Sequence, residues 1–268
     1  MGTVCVVGSL NIDLVTTVEA HPRPGETVRG TGLDRLPGGK GANQALAAAR
    51  AGARTLLCGR IGADGTAYRD GLADRGVDCS GVYTVADTPS GHALIAVDGH
   101  GENTIIVIPG ANAMLTATEV ADHADAISSA DVLLLQLEIP MPAVLRAAEV
   151  ARQAGVRVLL NPSPWSVPPA ELLAVADPLV VNQHEAEQLP SGVASVCVTL
   201  GDQGARWGEL TADAPQGDVI DTTGAGDSFA GALAAALAAG ETDAEALRRA
   251  VAAGTEACGW VGAQGWRL

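Results

Sequence analysis

The sequence has few aromatic and few basic residues, and each shortage limits what the protein can be. Aromatic residues make up only 3% of the 268 residues, so the core must be built from Val, Leu, Ile and Ala. The 16 Lys and Arg residues stand against 31 Asp and Glu residues, which gives a net charge of −15. Because binding to nucleic acid or to an anionic membrane requires a basic surface, this charge argues against both functions.

The sequence also lacks paired cysteines and long hydrophobic segments. Its five cysteines are isolated, which argues against a structural zinc site and a disulfide framework. The apolar stretch Phe229–Ala239 is too short to span a bilayer, and the first residues do not resemble a signal peptide. We therefore expect a soluble protein of the reducing cytoplasm.

Hydrophobic periodicity indicates an α/β fold. Val4–Val7 is typical of a buried strand, and from residue 116 onward helices and strands alternate. This alternation predicts a single domain over residues 1–268, built on a doubly wound, mostly parallel sheet. In the later region, strands are predicted at Val132–Gln136, Val156–Leu160, Leu179–Val181 and Val193–Thr199.

Two early strand-rich patches, at about 12–34 and 82–108, do not follow this alternation. The second patch contains Val82–Thr84, His92–Val97 and Asn103–Ile108. We predict that both patches form a small β-sheet lid over the carboxyl edge of the main sheet, where open α/β folds bind ligands. Exposed strand edges in such a lid favour pairing with a second copy of the chain.

The motif with the clearest chemistry is D-T-T-G-A-G-D at Asp221–Asp227, directly before a helical run. Small residues at Gly224, Ala225 and Gly226 allow a ligand to approach the backbone, and the free N–H groups of a helix start attract anions. Asp227 would lie in the first turn, where its carboxylate can take a proton from an acceptor hydroxyl. The pattern therefore suits phosphoryl transfer. Taken alone, it also fits an ordinary capped helix, with Thr222 or Thr223 as the cap.

Two further motifs favour the functional interpretation. G-G-K-G-A-N-Q at Gly38–Gln44 is a glycine-rich loop that opens a helix and carries a cation and amides. It is not a phosphate-binding Walker loop, because Gly41 follows the lysine, and no G-x-G-x-x-G turn supports a nicotinamide-dependent dehydrogenase. Asn11 and Asp13 follow the first strand, where polar side chains can bind a ligand rich in hydroxyl groups.

Together these residues resemble the ribokinase-like family of sugar and nucleoside kinases, through most of the chain. The glycine-lysine loop and the final aspartate motif match the two signatures of that family. Shorter matching segments are G-S-L-N-I-D at 8–13, P-G-E-T-V at 24–28, G-A-N-A at 110–113, L-Q-L-E-I-P at 135–140, N-P-S-P at 161–164, N-Q-H-E-A-E at 182–187, T-L-G-D-Q-G at 199–204 and G-A-Q at 262–264.

The resemblance implies an ATP-dependent kinase for a small sugar, with D-ribose as the leading acceptor, Asp227 as general base and the amides at 224–226 as anion hole. It assigns the sugar pocket to Asn11, Asp13, Gly39, Lys40, Asn43, Glu138 and Asp227. It assigns nucleotide contacts to Asn182, Thr199, Gly201, Gly204 and Gly226. Mg²⁺ would be held through water by Glu185, and a monovalent cation such as K⁺ by Asp221, Thr223, Ala257, Trp260 and Gly262. The family also implies a homodimer through the lid.

Three features depart from the family pattern, all on the nucleotide side. Only 16 residues separate Asn182 from Thr199, where relatives usually have room for another helix. The sequence ends at Leu268 without the usual terminal helix, and Val251 lies where relatives often carry a polar residue beside the adenine. Two alternatives stay open: a related kinase acting on fructose, a keto-deoxy sugar acid or a nucleoside, and a sugar-binding regulator with weakened catalysis.

Overall fold

The computed structural model describes residues 1–268 and contains two β-sheets. The larger sheet has nine strands in the order β13-β12-β11-β10-β9-β8-β1-β4-β5, and the smaller has four in the order β3-β2-β6-β7. All pairs in the larger sheet are parallel except the β11-β12-β13 edge. The larger sheet comprises β1 Thr3–Val7, β4 Arg54–Gly62, β5 Val77–Val85, β8 Val132–Leu135, β9 Arg157–Leu160, β10 Ala176–Asn182, β11 Val196–Thr199, β12 Ala205–Trp207 and β13 Leu210–Ala212.

Helices cover both faces of the larger sheet, which confirms the doubly wound prediction. Alternate residues of β1 show the division: Val4 and Val6 belong to the core on one side, Cys5 and Val7 to the core on the other. The helices are α1 Lys40–Arg50, α2 Thr66–Ala73, α3 Ala117–Asp122, α4 Ala124–Ser128, α5 Met141–Ala154, α6 Ala170–Leu173, α7 Gln183–Ala186, α8 Ala225–Ala238 and α9 Asp243–Ala257. None of these helices combines the length and the apolar composition needed to cross a bilayer.

The smaller sheet is the predicted lid, with different bounds. It consists of β2 Asn11–Thr17, β3 Asp34–Gly38, β6 Gly91–Val97 and β7 Asn103–Ile108. The assignment of Val82–Thr84 to the lid is wrong. These residues belong to β5, which pairs in parallel with β4 at the edge of the larger sheet and buries Val82 in the core. Of the second predicted patch, only the part from Gly91 onward belongs to the lid, after the turn that follows β5.

Two other details differ from the sequence-based expectation. The strand predicted from Val193 begins at Val196, and the connection between β10 and β11 contains only the short helix α7. The hairpin β12-β13 was not predicted, because its strands are three residues each and show no clear periodicity. It continues the larger sheet by antiparallel pairing with β11.

The helices α1 and α8 pack closely because small residues line their contact. Helix α8 is rich in alanine, the residue with the highest helix propensity, and most of its residues are buried. Gly231 lies against α1, so that a Cβ added there would be 2.4 Å from Gln44 O and 2.6 Å from Ala47 Cβ. Only glycine at this position permits the observed distance between the two helices.

We predict that Gly231→Ala lowers the free energy of unfolding by about 1–3 kcal/mol, because the added methyl group forces α1 and α8 apart. The higher helix propensity of alanine acts in the opposite direction, since by itself it would raise stability by about 1 kcal/mol. Gly226→Ala in the same helix is the matched control, since a Cβ there has no protein atom within 4 Å. Urea denaturation of both variants would measure the difference, and a Gly231→Ala variant as stable as the control would contradict the packing argument.

Candidate active site

Asp227 lies in the first turn of α8, buried against the start of α1. Its Oδ2 accepts a hydrogen bond from Asn43 Nδ2 at 2.9 Å, and its Oδ1 accepts one from Gln44 Nε2 at 2.9 Å. The side chain is 7% exposed. Both amides come from the glycine-lysine loop and its helix, so the two motifs identified in the sequence meet at this carboxylate.

The N-terminus of α8 provides free backbone donors beside Asp227. Gly224 caps the helix at φ 79°, and a Cβ there would lie 2.6 Å from Ala263 Cα, so protein packing requires this glycine. Ala225 does not fit its assignment to the anion hole, because its N–H donates to Thr222 O at 3.2 Å. The N–H groups of Gly226 and Asp227 have no acceptor within the protein. Such donors at a helix start form an anion site.

Gly226 has a different reason to be glycine. Its backbone is not in the left-handed region, and a Cβ would meet open space. Neither conformation nor packing therefore excludes a side chain at this position. Gly226 lines both a smaller and a larger cavity beside the α8 N-terminus, so a side chain here would take up space that a ligand could use.

Lys40 lies among three carboxylates at the other end of the same site. The negative charge of Asp227 raises the pKa of Lys40 against the opposing effect of burial, and Glu138 and Glu185 act in the same direction as Asp227. Lys40 and Asp227 line a cavity of about 160 Å³ together with Gly226, Asn182 and other residues. A cation in this cavity suits a phosphate group, and it balances part of the local negative charge.

Glu138 points into the protein and not toward solvent. Its Oε2 accepts hydrogen bonds from Ser9 Oγ at 2.5 Å and from Lys40 N at 3.0 Å. The second bond satisfies one of the free N–H groups at the start of α1, where a negative charge is favourable. Glu138 therefore links the loop after β1 to the glycine-lysine loop.

Asp13 is a buried carboxylate without enough partners. Burial is the main cause that raises its pKa to about 7, and the nearby charges of Glu138 and Asp227 contribute to this rise. Its Oδ1 is buried and has no hydrogen-bond partner. Gly38 packs against this carboxylate so closely that a Cβ there would be 2.2 Å from Asp13 Oδ2. An unsatisfied buried acceptor of this kind is costly, and a ligand hydroxyl would supply the missing donor.

Asn11 enters the site on β2, beside Asp13, and is held by a residue that the sequence analysis left without a role. Asn112 Nδ2 donates to Asn11 Oδ1 at 2.7 Å, while Asn112 Oδ1 accepts from Leu10 N at 3.0 Å. A Cβ on Gly91 would be 2.1 Å from Asn11 Oδ1. Gly39, with φ 85°, brings the α1 loop against the backbone of Asn11.

Asn182 and Glu185 form a capping box at the start of α7. Asn182 N donates to Glu185 Oε2, and Glu185 N donates to Asn182 Oδ1, each at 2.9 Å. Both side chains also line the cavity that holds Lys40 and Asp227. The two residues are thus adjacent, as the motif predicts, and their hydrogen bonds fix the Glu185 carboxylate at the cavity wall.

A larger cavity of about 460 Å³ adjoins the α8 N-terminus. Thr199, Gly201, Gly204 and Gly226 all line it, so four of the five residues assigned to nucleotide contacts lie together. The fifth, Asn182, lines the smaller cavity instead. Its other walls include Phe229 and Val251, together with the loop 214–217 and the end of α9. Val251 lines the wall as an apolar surface, which can pack against an aromatic base.

The segments assigned to a monovalent cation are in contact. Asp221 Oδ2 accepts from Gly262 N at 2.8 Å, and its Oδ1 accepts from Thr223 N at 2.9 Å. Burial raises the pKa of Asp221, but these donors outweigh it and leave the pKa below its usual value. The N–H groups of Ile220 and Asp221 also donate to Cys258 O, so the 257–262 turn is fixed against the aspartate motif.

Three amides near Asp227 were missed from the sequence. Gln44 donates to Asp227, accepts from Gln136 Nε2 at 2.6 Å, and donates to Asn161 Oδ1 at 3.2 Å. Asn161, the first residue of the N-P-S-P segment, lines the cavity with Lys40. Gln44 and Gln136 both lie inside matched segments, but amides far apart in sequence give no signal that they hydrogen-bond to each other.

The donor set is compatible with Mg²⁺, which binds protein through one or two carboxylates and completes its shell with water and phosphate oxygens. Glu185 presents such a carboxylate beside the α8 anion site. No cluster of three or more His, Cys, Asp or Glu residues forms a closed metal cage. Asp221 and the carbonyl groups of the 257–262 turn suit a larger cation with backbone oxygen ligands.

The chain is similar to known carbohydrate kinases in sequence and in fold. The family model for pfkB family carbohydrate kinases matches residues 1–266. A ribokinase of Staphylococcus aureus is 37% identical over 260 residues, which cover 87% of this chain and 86% of that protein. A ribokinase of Bacillus subtilis is 37% identical over 254 residues, covering 89% and 86%.

Among solved structures, the Arabidopsis thaliana ribokinase complexed with ribose and ATP superposes with a TM-score of 0.90 at 34% identity, over 97% of this chain and 94% of that one. Residues 1–266, which the family model matches, include the aspartate motif, the glycine-lysine loop and the lid strands. The chain therefore belongs to the pfkB family of carbohydrate kinases.

Proposed function

We propose that this protein transfers the terminal phosphoryl group of ATP to D-ribose and produces D-ribose 5-phosphate. The observation that carries the proposal is the position of Asp227. Its carboxylate is held by two amides beside two free N–H groups, in a cavity that also contains Lys40. The similarity to ribokinases in sequence and in fold, which extends over most of this chain, supports the proposal.

Catalysis follows from this arrangement. Asp227 accepts the proton of the sugar hydroxyl as that oxygen attacks the phosphorus atom. The N–H groups of Gly226 and Asp227 hold the transferring phosphoryl group, and Lys40 neutralises part of its charge. Since these donors are fixed by the fold, no reorganisation is needed when charge develops in the transition state.

Sugar recognition is assigned to the residues on β2, the glycine-lysine loop and Glu138. Asp13 offers an unpartnered buried oxygen, which a ribose hydroxyl would satisfy. Asn11, Asn43 and Gly39 border the same region and can bond to the other hydroxyl groups. A site built from such polar groups discriminates strongly against sugars that leave one of them unpaired.

The nucleotide is assigned to the larger cavity, with its phosphates directed at the α8 N-terminus. Glu185 would hold Mg²⁺ through water, beside Asn182, which is assigned to the nucleotide. Asp221, Thr223 and the carbonyls of the 257–262 turn would hold K⁺. These cations would supply positive charge near the phosphates when bound. We place the reaction in the cytoplasm, where ATP is available and where the five free cysteines stay reduced.

The first prediction from the proposed function concerns Asp227, the assigned general base. Asp227→Asn should lower kcat by about 10²- to 10⁴-fold, because asparagine cannot accept the hydroxyl proton. Ribose binding should be retained, and calorimetry would measure it alongside a coupled ADP assay. Asp87→Asn, which changes an exposed loop carboxylate, is the control and should keep wild-type kcat. Near-wild-type kcat in a folded Asp227→Asn protein would refute the assigned mechanism.

The second prediction concerns the buried carboxylate of Asp13. Because its pKa rises from 3.8 to about 7 on folding, the folded protein binds this proton more tightly, and wild-type stability falls as pH rises between those values. Asn cannot ionise, so the stability gain of Asp13→Asn should grow by about 2 kcal/mol between pH 5 and pH 7 and then level off.

Thermal unfolding across this pH range, with Asp87→Asn as control, would measure the effect. The same Asp13→Asn protein should bind ribose more weakly, because it loses a carboxylate acceptor. A stability difference that does not depend on pH would contradict the assignment of Asp13 as a carboxyl group protonated on folding.

The third prediction concerns assembly through the lid. The edge strand β7 exposes four consecutive apolar side chains, Ile105–Ile108, which are 42% to 59% exposed. We propose that a second copy of the chain covers this surface, because such a strand edge promotes pairing. Light scattering should give a molecular mass of twice the 26.9 kDa of one chain. The Ile106→Lys variant should have the mass of a single chain. A monomeric wild-type protein would refute the dimer.

A further inference from the structure

Gln264 is a buried residue of the G-A-Q segment whose role the catalytic scheme leaves unexplained. Its side chain is 1% exposed. Its Nε2 donates to Asn43 Oδ1 at 2.8 Å and to Tyr68 OH at 2.6 Å, and its Oε1 accepts from Trp266 Nε1 at 3.0 Å. Every polar atom of this side chain therefore has a partner, and one partner is the amide that contacts Asp227.

The direction of these hydrogen bonds follows from chemistry. The indole N–H of Trp266 can only donate, so the oxygen of Gln264 must face it. The NH₂ group of Gln264 must then face Asn43, which requires the oxygen of Asn43 to point at Gln264. The NH₂ group of Asn43 is thereby left facing Asp227, and it donates at 2.9 Å.

Trp266 is itself fixed in place. Its ring packs against Tyr68 with centroids 5.9 Å apart, and the guanidinium group of Arg75 lies 4.0 Å from the ring centroid. A cation over an aromatic face is a favourable contact. The hydrogen bonds thus form a relay from Trp266 through Gln264 and Asn43 to Asp227. It starts from a rigid donor and ends at the proposed catalytic carboxylate.

We propose that Gln264 is a positioning residue for phosphoryl transfer, which holds Asn43 as a hydrogen-bond donor to Asp227. Without it, Asn43 can rotate and present its oxygen to the carboxylate, which displaces Asp227 from the acceptor hydroxyl. This inference rests on the proposed function, because it concerns the turnover of that reaction. Tyr68 forms a second branch from Gln264 that does not lead to Asp227. Its OH donates to Gly38 O in the glycine-lysine loop at 2.7 Å.

The test compares three substitutions in the ribose-dependent ADP assay. Gln264→Leu should lower kcat by about 10- to 100-fold, with a smaller change in the KM for ribose, because the defect lies in base orientation. Trp266→Phe keeps an aromatic side chain at this position and removes the orienting donor, so it should lower kcat in the same direction. Tyr68→Phe breaks the other branch and should keep kcat within about threefold of wild type.

A double-mutant cycle identifies the path of the effect. If Gln264 acts through Asn43, adding Gln264→Leu to Asn43→Ala should cause no further loss of kcat. Additive losses, or full kcat in both a folded Gln264→Leu protein and Trp266→Phe, would overturn the inference. If Gln264→Leu does not fold, the kcat of Trp266→Phe alone tests the inference, and a wild-type kcat in that variant would overturn it. A wild-type protein without ribose-dependent activity would instead refute the proposed function, and the inference with it.

Discussion

The contact between α1 and α8 is the constraint on which the site depends. Gly231 allows the two helices to approach, and this approach brings the amides of Asn43 and Gln44 to the carboxylate of Asp227. The glycine-lysine loop and the aspartate motif are about 180 residues apart in sequence, since the Asn43–Asp227 bond spans 184 positions. A displacement of either helix would separate the proposed base from the sugar pocket. Tight packing in the core is thus a condition for the chemistry.

The strongly acidic composition is reconciled with binding of ATP by local features. The sequence carries a net charge of −15, and Asp13, Glu138 and Asp227 add negative charge inside the site. Free N–H groups at the start of α8 and the ammonium group of Lys40 oppose this charge where a phosphate would lie. Cations at Glu185 and Asp221 would add to them. In the proposed function, the protein would bind anions through a few well-placed donors and without a basic surface.

Much of the fold and the identity of the two central motifs could be predicted from the sequence, because helix-strand alternation and glycine-rich turns are local signals. The lid bounds could not: Val82–Thr84 looked like a lid strand until its parallel pairing with β4 was known. The amide relays were also hidden. Gln44 and Gln264 are ordinary residues in sequence, and only the folded chain brings them to Asp227 and Asn43. Long-range hydrogen bonds between uncharged side chains leave no periodic pattern.

The alternatives that the sequence left open differ in what the protein phosphorylates, or in whether it does so at all. The most direct measurement is therefore ADP formation by the wild-type protein with MgATP and K⁺, across D-ribose, D-fructose, a keto-deoxy sugar acid and a nucleoside. The account predicts the highest kcat/KM with D-ribose, with one ADP formed for each D-ribose 5-phosphate. A higher kcat/KM with another acceptor, or no ADP formed with D-ribose, would contradict it.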